Sequence, residues 1–160
     1  MADRRLYIPP ADGMDASAVA TLQGRGLPEH VLTIFRAVDQ LRGPSTADLD
    51  YDVDGWVIGY SREDDELCLD RASHRVLLLA TWRPDAAIAV NDSLTSFVDC
   101  LDAVLGMAPF YPQGVDMRVS IDVARSVRDV IDGIDRVATL DPDGFWGAFL
   151  DDLANGDYPG

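Results

Sequence analysis

Trp56-Val57-Ile58-Gly59-Tyr60, Glu66-Leu67-Cys68-Leu69-Asp70 and Arg75-Val76-Leu77-Leu78-Leu79-Ala80 are three short apolar runs, and beyond Val90-Asn91-Asp92-Ser93 the apolar spacing changes. Glu63-Asp64-Asp65 and Arg71-Ala72-Ser73-His74 separate the runs as polar turns, so they read as consecutive strands. Short turns make antiparallel neighbours the simplest pairing. Ala87-Ile88-Ala89-Val90 is a candidate for the same sheet. From Asp92 to Leu105, Leu94, Phe97, Val98, Leu101, Val104 and Leu105 recur at helical spacing, with Asp99 and Asp102 facing away. Asn91, Asp92 or Ser93 can cap this helix by accepting a backbone N–H; Gly106 ends it, and Pro109 and Pro112 mark an irregular link.

Outward from this block the pattern continues. Asp15 to Leu22 reads as a short helix closed by Gly24 and Gly26. Val31-Leu32-Thr33-Ile34-Phe35 is expected to be a strand, with a helix over Pro28 to Leu41 as the competing reading, because Val31, Ile34, Phe35, Val38 and Leu41 also keep helical spacing. Gly43-Pro44-Ser45 opens an acidic loop that lasts to Gly55. A helix is expected over Asp122 to Val137, burying Val123, Val127, Val130, Ile131, Ile134 and Val137. A last helix follows Asp141-Pro142-Asp143-Gly144, with Asp141 as its cap and Phe145, Trp146, Phe149, Leu150 and Leu153 as its apolar stripe. The length suits one domain over 1–160, with poor order expected at 1–14 and 155–160.

Hydrophobic residues make up 48% of the 160, enough for a sizeable core. No apolar run approaches the roughly 20 residues of a membrane span. Arg4 and Arg5 precede no apolar stretch, so neither a secretory nor a twin-arginine signal is read, and a cytoplasmic location is expected. The net charge is −15, from 28 acids against 13 bases, all of the latter arginine. Nucleic acid and anionic membranes need a positive surface, so they are excluded as expected partners; a basic protein or a cation suits this chain better.

Motifs for chemistry are scarce. Cys68 and Cys100 fall on apolar faces without Cys-x-x-Cys spacing, as buried thiols do. His30 and His74 are the only histidines; His74 belongs to a hairpin turn where a positive φ is useful, and a Cys68–His74 pair is poorly aimed for catalysis. No phosphate-binding glycine loop or zinc-protease motif occurs, so no catalytic residue and no cofactor is expected. Asp50, Asp52, Asp54 and Gly55 match the start of a calcium loop, but Ser61 stands where a bidentate glutamate is needed; calcium binding there is a lesser alternative. Trp56 and Trp146 read as core. Trp82, before Arg83-Pro84-Asp85, is the tryptophan expected to be exposed. With Asp64, Asp65, Glu66 and Asp70 in or beside turns, it forms the expected partner-binding set.

Four pieces of this chain together resemble the SUKH superfamily of bacterial immunity proteins, and within it the fourth SUKH group. They are Gly26-Leu27-Pro28, the strands around Trp56-Val57-Ile58-Gly59, Leu67-Cys68-Leu69-Asp70 and Arg75-Val76, the helix start Val90-Asn91-Asp92-Ser93-Leu94-Thr95-Ser96-Phe97, and Asp141-Pro142-Asp143-Gly144-Phe145-Trp146. The resemblance implies an α+β fold, an antiparallel sheet of about five to six strands packed on one face by helices. It also implies a non-enzymatic antidote that binds a cognate toxin, often a nuclease or deaminase with a basic surface. A scaffold or regulatory domain of the same fold, binding another protein, is the alternative.

Overall fold

The computed structural model describes residues 4–160, and the expectation of poor order at residues 1–3 lies outside them. Strand β1 (Arg5–Leu6) leads to helix α1 (Ala16–Gly24), which is followed by β2 (Leu27–Pro28) and β3 (His30–Val31). Next come β4 (Phe35–Arg42), β5 (Gly55–Ser61), β6 (Glu66–Asp70), β7 (Val76–Leu79) and β8 (Ile88–Asn91). Helices α2 (Leu94–Met107), α3 (Met117–Ile134) and α4 (Phe145–Ala154) complete the order, with a 3-10 turn at Arg136–Thr139. Strands β3 to β8 form one antiparallel meander in chain order, and β1 pairs with β2 apart from it. The fold is therefore α+β, with a six-stranded sheet.

Side chains alternate across this sheet, as a period of two requires. Trp56 opposite Leu69, and Leu67 opposite Leu78, face the helices; Cys68 opposite Leu77, and Glu66 opposite Leu79, face the other way. On the helical side Phe97 of α2 stands between sheet and α4. Its ring meets Phe35 at 5.4 Å and Phe145 at 5.8 Å, both edge-on. The Gly43–Asp54 loop lies over the opposite face: the Ser45 N–H donates to Glu66 Oε1 at 2.7 Å, and the Asp50 N–H to the Pro84 carbonyl at 2.8 Å.

A buried polar network joins four elements on the helical side. Asn91, at the end of β8, is wholly buried. Trp146 Nε1 of α4 donates to Asn91 Oδ1 at 2.8 Å, and Asn91 Nδ2 donates to Asp135 Oδ2 at 2.8 Å. The same carboxylate oxygen accepts from the Asp92 N–H at 2.7 Å and Ser96 Oγ at 2.7 Å, while Asp135 Oδ1 accepts from the Val137 N–H at 3.0 Å. Ser93 is the residue that caps α2, in a reciprocal box with Ser96. Asn91 has thus left the cap and become the buried tie.

Several boundaries differ from the sequence reading. Neither a strand over Val31–Phe35 nor a helix to Leu41 forms. Leu32 turns the chain at φ 49°, and the long strand starts at Phe35. Its register shifts between Ala37 and Arg42, a bulge that breaks the alternation and imitates helical spacing. Helix α3 starts earlier, capped by Asp116, and buries Ser120, Ala124, Val127 and Ile131; Val130 is exposed and Val137 lies in the 3-10 turn. Small Ser120 and Ala124 form part of its inner face, and Ser120 Oγ donates to the Ala154 carbonyl of α4 at 2.7 Å. Asp141 does not cap α4, whose first turn follows Gly144. Asp99 and Asp102 hold Arg25, at 2.6 and 2.9 Å, rather than standing free in solvent. At the far end the Tyr158 ring packs on Phe149 at 5.3 Å, and its N–H donates to the Tyr111 hydroxyl at 3.1 Å.

Cys68 and Cys100 are both buried and unpaired. Burial pushes each thiol up to about 12, so both remain protonated at neutral pH. The folded protein should therefore resist a thiol-reactive dye at pH 8 and release two equivalents on unfolding in denaturant. Fast labelling of native protein would contradict this packing.

Candidate protein-binding surface

The Ser61–Glu66 turn, the segment after β7 and the start of α4 meet at one end of the sheet. Antiparallel pairing of β5, β6 and β7 puts the first two together; the return of the chain through α3 brings the third. Trp82 is 50% exposed here, against 8% for Trp56 and 1% for Trp146. Its ring is propped from one side: the Arg83 guanidinium lies 5.3 Å from the ring centroid and donates to Asp141 Oδ2 at 2.8 Å. That hydrogen bond is the chief cause of an Asp141 carboxyl held below its usual range.

Asp64 is turned outward at φ 60° and meets Arg36 at 3.0 Å in an exposed pair, which adds little to stability. Asp65 is only 6% exposed; its Oδ1 accepts from the Thr81 N–H and hydroxyl, both at 3.2 Å. Glu66 is also buried, bonded to Arg42 and to the Ser45 N–H. The carboxylates of Asp65 and Glu66 therefore brace two loops, and of the turn's acids Asp64 and Glu63 offer the larger open faces. Asp70 stands five residues along β6 from Asp65, roughly 16 Å at the rise of an extended strand. There it accepts from the Ser73 N–H at 3.0 Å and holds the next turn, in which His74 takes φ 63°. The structure thus gathers Asp64, Asp65, Glu66 and Trp82 at one end and leaves Asp70 at the other.

Two depressions flank Asp65, which lines both. One lies under the acidic loop, with Asp48, Leu49, Tyr60 and Thr81 on its walls. The other is a cleft of about 440 Å³, counted with its open mouth, between the turn and α4. Ile34, Leu78, Phe145 and Phe149 give the cleft apolar walls; Glu63, Asp143 and Asp152 add carboxylates, and Trp82 forms one side. Asp143, Asp152 and the phenylalanines were not part of the expected site. No local pattern places α4 beside a turn about eighty residues earlier; the only signal was a D-P-D-G start next to a strongly aromatic stripe.

Asp50, Asp52 and Asp54 do not converge. Among the described residues no three acidic, histidine or cysteine side chains are grouped closely enough to hold a metal ion, and Asp54 faces Arg71 at 3.3 Å. Among the same residues no helix is long and apolar enough to cross a membrane.

The four resembling segments now have physical roles, two of which meet in the hydrogen bond between Asn91 and Trp146. Residues 10–152 match the SUKH-4 immunity protein family. The chain belongs to that family. No curated protein and no solved structure matches it. The SUKH-4 match spans the six-stranded sheet, helices α1 to α3, α4 up to Asp152 and the Trp82 end, so the candidate surface lies within the matched residues.

Proposed function

We propose that this SUKH-4 protein is a non-enzymatic antidote, acting in the bacterial cytoplasm by binding a basic toxin domain and covering its active surface. The observation that carries the reading is a half-exposed tryptophan set among carboxylates on a domain of the immunity family. A large ring that is already propped loses little freedom on binding, and tryptophan is a frequent hot spot. The surrounding Glu63, Asp64, Asp143 and Asp85 are exposed and would draw a basic partner into encounter. The toxin can be a nuclease or a deaminase, whose substrate groove is positive for the same reason that this surface is negative.

Co-expression with a toxin encoded beside this chain should restore growth, and the purified pair should form a stable complex. The association rate should fall by roughly tenfold or more as salt rises from low to high, because steering by surface charge is screened. Absence of binding to every neighbouring toxin would overturn the reading. A salt-independent rate would remove the role given to the acidic surface.

A further inference from the structure

We propose that the cleft between the Ser61–Asp65 turn and α4 receives an arginine side chain of the protein partner; the inference rests on the toxin-binding reading and names the anchor that would seat it. The walls suit the stem of such a residue. Ile34, Leu78, Phe145 and Phe149 present hydrocarbon on which three methylenes can pack. The charge suits its head. Glu63, Asp65, Asp143 and Asp152 line the cleft against a single guanidinium, Arg62, which is already engaged by Asp152 and Glu63. The N-terminus of α4 contributes about half a positive charge, too little to reverse that balance, and Asp143 stands directly before it.

A second observation is independent of the acidic count. Asp65 is 94% buried, since only 6% of it is exposed, yet Asp65 Oδ2 takes no hydrogen bond from any described residue. That oxygen is not sealed from solvent, as the Tyr51 hydroxyl is, so it stands as an open acceptor on a carboxylate otherwise fixed by Thr81, and a cationic N–H would bond it more strongly than water does. Trp82 adds the third element. Arg83 packs on its ring but does not line the cleft, so the indole reaches the cleft already braced. A guanidinium fits these elements better than an ammonium. It is planar, it is weakly hydrated, it stacks on indole, and its five donors can reach carboxylates that lie in different directions. An anion would meet net repulsion, and a purely apolar group would desolvate the carboxylates without bonding them.

The test is an NMR titration of the full chain with Nα-acetyl-arginine methylamide, and with the neutral isostere Nα-acetyl-citrulline methylamide. The arginine compound should give saturable shifts at the Trp82 indole and at the Ile34 and Ala148 methyls. Its dissociation constant should be on the order of millimolar, as befits so small a ligand. Citrulline should bind at least roughly tenfold more weakly, since it keeps the shape and loses the charge. No saturable shift at these residues, or equal shifts by both compounds, overturns the proposal. In a second arm W82A and D143N, both at exposed positions, should weaken binding of the toxin at least roughly tenfold, whereas D129N on the outer face of α3 should not. Unchanged toxin affinity in both W82A and D143N overturns the cleft as the anchor and leaves the toxin-binding reading standing. A wild-type chain that binds no toxin overturns that reading, and the proposed partner with it, whatever the titration shows of the cleft.

Discussion

Trp146→Ala should lower the free energy of unfolding by about 4–8 kcal/mol, comparable to the whole stability of a marginal domain. Two losses combine. The ring is 1% exposed and meets Phe145 edge-on at 4.9 Å, Phe97 at 6.2 Å and Phe149 at 6.3 Å, so its removal leaves a cavity among side chains that cannot collapse together. Truncation of a buried aromatic of this size costs about 3–5 kcal/mol. Its Nε1 also supplies the donor to Asn91 Oδ1, and an orphaned buried acceptor adds about 1–3 kcal/mol. Trp146→Phe separates the two, because it keeps most of the ring and loses the N–H. It should cost about 1–3 kcal/mol by denaturant titration, with an unchanged m-value. A Trp146→Phe loss as large as that of alanine would mean that the hydrogen bond dominates. A negligible loss would mean that the network is slack.

The same residue shows how the sequence could be legible and yet incomplete. Trp146 reads as core from its place on an apolar helical stripe, and it is core; that its indole N–H reaches a residue fifty-five positions earlier is a tertiary fact with no periodic trace. Asn91 is the counterpart. Its position before a helix reads as a cap, because asparagine caps helices by a local hydrogen bond, but Ser93 takes that task. The strands β5 to β8 were legible as short apolar runs bounded by polar turns, even though β5 shifts register against β6 and β7 against β8, and helix α2 was legible because it keeps one helical period. The β4 strand was not, since its bulge scrambles the alternation, and the face of α3 was misjudged because Ser120 and Ala124 mark close helix packing without registering as hydrophobic.

For the candidate surface, exposure was readable and assembly was not. Trp82 stands out because it follows a strand and precedes Arg-Pro-Asp, and it is the exposed tryptophan. Asp65 and Glu66 look identical to Asp64 in sequence, three acids at a turn. Their separate fates follow from what faces them: Thr81 donors for one, Arg42 and Ser45 for the next, and open solvent beside Arg36 for Asp64. The calcium reading failed on the same ground, because a run of alternate aspartates specifies spacing along the chain and not convergence in space.

Asp135→Ala should destabilise the fold by about 3–4 kcal/mol, the second large effect, because it strips the acceptor from Asn91 Nδ2, the Asp92 N–H, Ser96 Oγ and the Val137 N–H together. The network joins β8, α2, the 3-10 turn and α4, so several elements loosen at once. The pH dependence identifies the charged form as the one at work. Burial alone would raise the carboxyl of Asp135, but bonds from Ser96, Asp92, Asn91 and Val137 outweigh it and hold the group below its usual 3.8. A carboxyl depressed in the folded state gives its full stabilisation above the unfolded value. As the pH falls below about 4 the unfolded chain takes up the proton first, and the stabilisation drains away until the folded carboxyl is protonated too. Asp141, depressed by Arg83, contributes with the same sign, so wild type alone does not isolate Asp135. Asp135→Asn does, since it keeps the shape and cannot ionise. Its deficit relative to wild type, about 2 kcal/mol at pH 7, should shrink as the pH is lowered from 5 to 3. A deficit that stays constant over that range would show that the carboxylate's charge plays no part in joining these elements.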